Sequence, residues 1–174
     1  MTGLGKVALI AGALALSACA DQRFGAGGGA GMGADGMAGA GAGAAAGSVS
    51  DPTSEAFFQE AVGDRVFFAV DQSTLSTEAR RMLDEQAEWL MTNSDFAATI
   101  EGHADERGTR EYNIALGDRR ANAVRDYLVS RGVAPNRITT VSYGKERPVA
   151  LCSDESCYSQ NRRAVTVLAL GAGV

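Results

Sequence analysis

The spacing of apolar residues changes several times along the chain, and each change marks an element. Arg65–Val70 is a β-branched and aromatic run and is predicted as a strand. Ser76 can cap a helix with Glu78 in its first turn. Ala79, Met82, Leu83, Ala87 and Leu90 then fall on one side of a helix that runs to about Asn93. Phe96–His103 is predicted as a second strand, and a second long helix is expected from about Glu111 to Arg131, stopped by Gly132. Ile138–Tyr143 and Ala164–Leu170 give the third and fourth strands, and the stretch between them is read as a loop. Thr53–Ala61 is expected to form a short leading helix.

Strands alternating with helices of roughly 15–20 residues favour β–α–β units. The expected class is α+β, an α/β sandwich with a four-stranded mixed sheet and helices mainly on one face. A single domain is expected over residues 53–171, an ordinary domain size.

The chain upstream has a different pattern. Val7–Leu16 is apolar behind a lone Lys6, the layout of a secretory signal peptide. It falls short of the ~20 apolar residues that span a bilayer. Leu16-Ser17-Ala18-Cys19 resembles the bacterial lipobox. That resemblance implies removal of residues 1–18 and acylation of Cys19, where several acyl chains together hold a membrane stably. Ala20 follows instead of Asp, which by the enteric sorting pattern points to the outer membrane. Gly25–Gly47 is almost wholly Gly and Ala and has no apolar period, so residues 19–52 are expected to be a flexible tether. A coil of that length spans roughly 30 Å, and about 100 Å when pulled straight. Gly does not recur at every third position, which excludes collagen.

Charge and cysteine content narrow the function. There are 16 basic and 21 acidic residues, net −5, and loss of Lys6 with the signal leaves −6. Such a chain is a poor nucleic-acid binder, since phosphate contacts need clustered Lys and Arg. Cys152 and Cys157 remain as a pair in an exported protein, where a disulfide closing the Leu151–Tyr158 loop is permitted; two free thiols are the alternative. Zinc would need about four ligands, and the one His is far away in sequence. No metal or other cofactor is implied.

Two segments concentrate polar chemistry. Glu101–Thr109 follows a strand and precedes a helix, which makes it a turn at the sheet edge. Tyr112–Val124 is the first half of that helix. Leu116, Ala123, Val124, Tyr127 and Leu128 form its inward stripe. Arg120 lies on that stripe, four residues from both Leu116 and Val124, while Arg119 points more toward solvent. A charge on an apolar face needs a partner, and Asp105 in the preceding turn is the candidate. One reading is a zwitterion site, with Asp105 on an ammonium and Arg120 forking a carboxylate. The other is a structural ion pair, which is common. Spacing alone leaves both open.

The same residues resemble the OmpA-like peptidoglycan-binding family. The match runs in order through Val66–Phe68, Glu101–Gly108, Tyr112–Gly117, Arg119–Val124, Val141–Glu146 and Tyr158–Ala164. The resemblance implies a non-covalent grip on the meso-diaminopimelate of the stem peptide. Asp105 and Arg120 are then the binding pair, Asn113 and Leu116 line the pocket, and the first strand's end, Phe68 to Asp71, offers backbone contacts, with Phe68 and Ala69 as its named site residues. It further implies an outer-membrane tether to the wall and partners in the Tol system, chiefly TolB; a wall-anchored lipoprotein outside that system is the alternative. Many relatives have Asp where this chain has Ala69, and enteric relatives have small residues at the two Cys positions. A peptidoglycan hydrolase would need a metal triad, a nucleophile with its base, or a carboxylate pair. None is legible here, so no catalytic residue is expected. His103 is read as support for the turn. Arg162 and Arg163 are left between sheet-edge charges and a role at the site.

Overall fold

The structure, a computed structural model, describes residues 47–171. The signal peptide, Cys19 and the tether as far as residue 46 lie outside the described residues. Gly47–Pro52 was expected to belong to the tether, yet it is tied to the domain. The Ser54 hydroxyl donates to the Ser48 carbonyl at 2.6 Å, and Trp89 Nε1 donates to the Pro52 carbonyl at 2.8 Å.

Ser54 caps the first helix, α1 (Glu55–Phe57), which widens into a π-helical segment, Phe58–Gly63. It ends at Gly63, whose φ of +91° suits glycine. Then follow β1 (Arg65–Phe67), α2 (Thr77–Thr92, capped by Ser76), β2 (Phe96–His103) and α3 (Arg110–Ser130, capped by Thr109). A 3₁₀ turn, Pro135–Arg137, leads into β3 (Ile138–Gly144), α4 (Glu155–Asn161) and β4 (Arg163–Leu170).

The sheet order is β1-β4-β2-β3, with β2 parallel to β3 and β4 antiparallel to both β1 and β2. This is the expected four-stranded mixed sheet. Ala98, Ile100 and Gly102 of β2 pair with Leu168, Thr166 and Ala164 of β4, and all six are buried beneath the helices. The alternate residues, such as Thr99 and Val167, face outward and are half-buried or exposed, as the two-residue period of a strand requires. One buried polar group is bridged neatly. Gln86 of α2 donates to the Gly63 carbonyl at 2.7 Å and shares a 2.8 Å bond with the Thr166 hydroxyl.

Two expectations need correction. The first strand stops at Phe67 instead of Val70, because its partner in the sheet, β4, begins at Arg163 opposite Phe67. Phe68 N still donates to the Arg162 carbonyl at 2.9 Å, after which the chain turns away. The loop between β3 and β4 is not all loop, since it holds α4. Asp154 caps that helix by accepting from Ser156 N and Cys157 N, with Glu155 in the first turn. Cys152 and Cys157 are joined by a disulfide across this cap, with Cα atoms 5.6 Å apart.

Two glycines set the depth at which α3 lies on the sheet. A Cβ at Gly102 would fall inside the Gly117 carbonyl, and one at Gly117 would collide with Ser142 Oγ and the Gly102 carbonyl. Backbone therefore rests on backbone at this point. The next turn of α3, which carries Arg120, is pressed against the end of β2.

Candidate functional site

Arg120 is fully buried. Its Nε donates to the Gln72 carbonyl at 2.8 Å, Nη1 to His103 O at 2.8 Å and Nη2 to Ala69 O at 3.1 Å. The guanidinium lies 5.1 Å from the centre of the Phe68 ring. It thus gathers the ends of two chain segments, the one leaving β1 and the one leaving β2. Burial pushes its pKa down to about 10, with Asp105 and Asp71 opposing the shift, and it remains a cation at neutral pH.

The Asp105–Arg120 ion pair, one of the two readings that spacing leaves open, is not formed. Among the described residues no carboxylate lies within salt-bridge distance of Arg120. Backbone carbonyls supply the partners that a charge on an apolar face requires. Asp105 is held by other arginines. Its Oδ1 accepts from Arg107 N at 3.2 Å and Arg107 Nε at 3.3 Å, and its Oδ2 from Arg107 Nη2 at 2.6 Å and Arg162 Nη1 at 3.3 Å. Burial would raise this carboxyl, but the bonds from Arg107 and Arg162 outweigh it and hold the pKa below the ordinary value.

Asp105 and Arg120 nonetheless share one pocket of about 260 Å³. Leu116 and Asn113 line it as well, together with Val70, Asp71, Arg107 and Tyr112. Asn113 Nδ2 donates to the Arg107 carbonyl at 2.7 Å and so fixes the turn to α3. Lys145 pins the same turn from the other side through the Gly108 carbonyl at 2.7 Å. The Tyr112 hydroxyl bonds to Asp71, which joins α3 to the segment after β1 across the pocket.

Phe68 and Ala69 do not line the pocket. Phe68 is buried under Arg120, and its carbonyl accepts from Arg162 Nε at 3.1 Å. The Ala69 carbonyl is taken by Arg120, and the Ala69 side chain is exposed. Val70 and Asp71, the next two residues, line the cavity. Asp71 sits at φ +58°, in the left-handed region that Asp tolerates better than most residues.

Neither Arg162 nor Arg163 is a surface charge; each is 5% exposed. Arg162 belongs to the site, linking the Phe68 carbonyl, Asp105 and Glu155. Arg163 points elsewhere, to the Arg147 and Asn161 carbonyls. His103 is buried, stacked on Tyr143, and neither ring nitrogen has a hydrogen-bond partner among the described residues. Desolvation, with Arg163 and Arg147 nearby, pushes its pKa down to about 4. It is neutral, and its part in the site is its carbonyl, which accepts from Arg120.

Arg107 and Tyr112 had no role assigned from sequence. Arg107 carries a local signal, since a turn Asp with a cation two residues on folds back on itself. The Tyr112–Asp71 contact spans 41 residues and leaves no local trace.

Residues 67–162 match the model of the OmpA family, and the chain belongs to that family. Within it the chain is similar to peptidoglycan-associated lipoproteins. It is 62% identical to that of Rhizobium meliloti strain 1021 over 122 residues, which is 70% of this chain and 69% of the relative. It is 47% identical to that of Pseudomonas aeruginosa over 163 residues, covering 94% and 96%. The crystal structure of the peptidoglycan-associated lipoprotein from Burkholderia pseudomallei matches with a TM-score of 0.62 at 39% identity, over 70% of this chain and 98% of that one. No helix of the described residues is long and apolar enough to cross a membrane.

Proposed function

We propose that this chain is an outer-membrane lipoprotein that binds peptidoglycan without cleaving it. Acylated Cys19 is the anchor, residues 19–52 are the tether except for the last few that fold onto the domain, and the domain reading the wall extends to residue 171. The ligand is the meso-diaminopimelate of the stem peptide, whose side-chain end carries an ammonium and a carboxylate. Asp105 takes the ammonium. Arg120 takes the carboxylate, and Asn113 and Leu116 wall the pocket. Phe68 and Ala69 act from behind, by holding Arg162 and Arg120. The protein works in the Tol–Pal system, with TolB as principal partner, in envelope integrity and cell division.

The carrying observation is the placing of Asp105 and Arg120 in one pocket without contact between them. A structural Asp105–Arg120 pair would have tied the two charges to each other, whereas Asp105 is held by Arg107 and Arg162. Here Arg120 spends three of its five N–H donors on carbonyls, and among the described residues its charge meets no carboxylate. The relatives' name, peptidoglycan-associated lipoprotein, supports peptidoglycan as the polymer bound.

The test is co-sedimentation of the full chain with purified sacculi. Wild type pellets with the wall, whereas Asp105→Asn and Arg120→Ala stay in the supernatant. A thermal melt of each variant separates lost binding from lost fold. Equal pelleting of all three would sink the site assignment, and release of soluble muropeptides would overturn the non-enzymatic reading.

A further inference from the structure

The Asp105 carboxylate has no vacancy. A carboxylate offers about four acceptor positions, and four donors fill them: Arg107 N, Nε and Nη2, and Arg162 Nη1. An incoming ammonium must therefore displace a donor. Arg107 N is fixed by the turn. Arg162 is 5% exposed and held by the Phe68 carbonyl and Glu155. The Arg107 side chain is 44% exposed and touches Asp105 from the solvent side. It also has somewhere to go, because its guanidinium already lies 4.6 Å from the centre of the Tyr158 ring, close to Glu155.

We propose that Arg107 is a built-in competitor, a cation of the protein's own that occupies Asp105 until a ligand ammonium displaces it. This rests on the assignment of Asp105 to the ammonium. The displaced guanidinium keeps its cation–π contact with Tyr158. Its role is one of specificity. In the empty site Arg107 compensates the buried carboxylate, which is expensive to leave unpaired. A ligand lacking the ammonium leaves Arg107 in place and gains nothing from Asp105. A ligand bearing it exchanges one cation for another and secures the pocket only if its carboxylate also reaches Arg120. The pocket thus responds to the two charges together and only weakly to a free amine.

The arrangement predicts that deleting a polar side chain at the site strengthens binding. The probe is a soluble disaccharide-tripeptide ending in meso-diaminopimelate, titrated calorimetrically into the full chain in detergent. Arg107→Ala retains the backbone bond that shapes the turn. It should bind roughly two- to five-fold tighter than wild type, the range set by loss of an exposed ion pair. The same probe with its side-chain amine acetylated should show no such gain. Weaker or unchanged binding by Arg107→Ala would overturn the proposal, as would an equal gain for the acetylated probe. The underlying assignment fails separately, and visibly, if Asp105→Asn binds the unmodified probe as well as wild type does.

Discussion

Arg120 Nη2 donates to the carbonyl of Ala69 at 3.1 Å, so position 69 serves the site through its backbone. The side chain is exposed and lies outside the pocket lining. The family's frequent Asp is therefore dispensable for the contact seen here. Ala69→Asp should leave sacculus binding within about two-fold of wild type, the usual reach of a surface substitution. A gain or loss of ten-fold in co-sedimentation would show that a carboxylate at this position reaches the ligand.

Arg162 holds three groups at once: the Phe68 carbonyl, the Asp105 carboxylate and Glu155. Arg162→Met keeps the stem and removes the fork. Asp105 would retain Arg107 and Glu155 is largely exposed, so the expected loss lies near the low end for a broken buried pair, about 3 kcal/mol. Urea denaturation at equal m-values measures it. A loss under about 1 kcal/mol would mean that the fork is redundant.

The main elements were legible because their local signals agree with their burial. Ser76 and Gly132 bracket the long helices, and β2 is found where it was predicted, at Phe96–His103. Arg120 was legible as a buried charge from its stripe position alone. Its partners were not, because main-chain carbonyls 17, 48 and 51 residues away carry no residue-type signal. The same blindness hid the end of β1, which depends on where β4 begins. The helix α4 was a different kind of miss. Its cap, Asp154 followed by Glu155, carries a local signal, but seven residues are too few to show a helical apolar period.

Gly117 connects packing to the site. Its absent side chain lets α3 rest on Gly102, and an added methyl would overlap Ser142 Oγ and the Gly102 carbonyl. Gly117→Ala gains helix propensity but must lift α3 off the sheet, for a net loss of about 1–3 kcal/mol. Arg120 lies one turn further along and should lose its grip on the His103 carbonyl, which weakens sacculus binding more than the stability loss alone explains. Retained binding in a destabilised variant would show that the two are uncoupled.

His103 makes stability depend on pH in a definite direction. Its folded pKa, about 4, lies below the ordinary 6.5, because burial and the cations Arg163 and Arg147 disfavour the imidazolium. The unfolded chain therefore takes up the proton first as pH falls. The stability held above about pH 6.5 declines through the window down to about pH 4, by as much as about 3 kcal/mol. Among the described residues, replacing the ring with phenyl removes no hydrogen bond, only the 3.6 Å approach of Nε2 to Glu101 Oε2, and leaves the His103 carbonyl free to hold Arg120. His103→Phe should thus match wild type at pH 7 and exceed it increasingly toward pH 5, where most carboxylates are still ionised. Denaturation curves at pH 7, 6 and 5 decide it: parallel declines in the two proteins would remove His103 as the source.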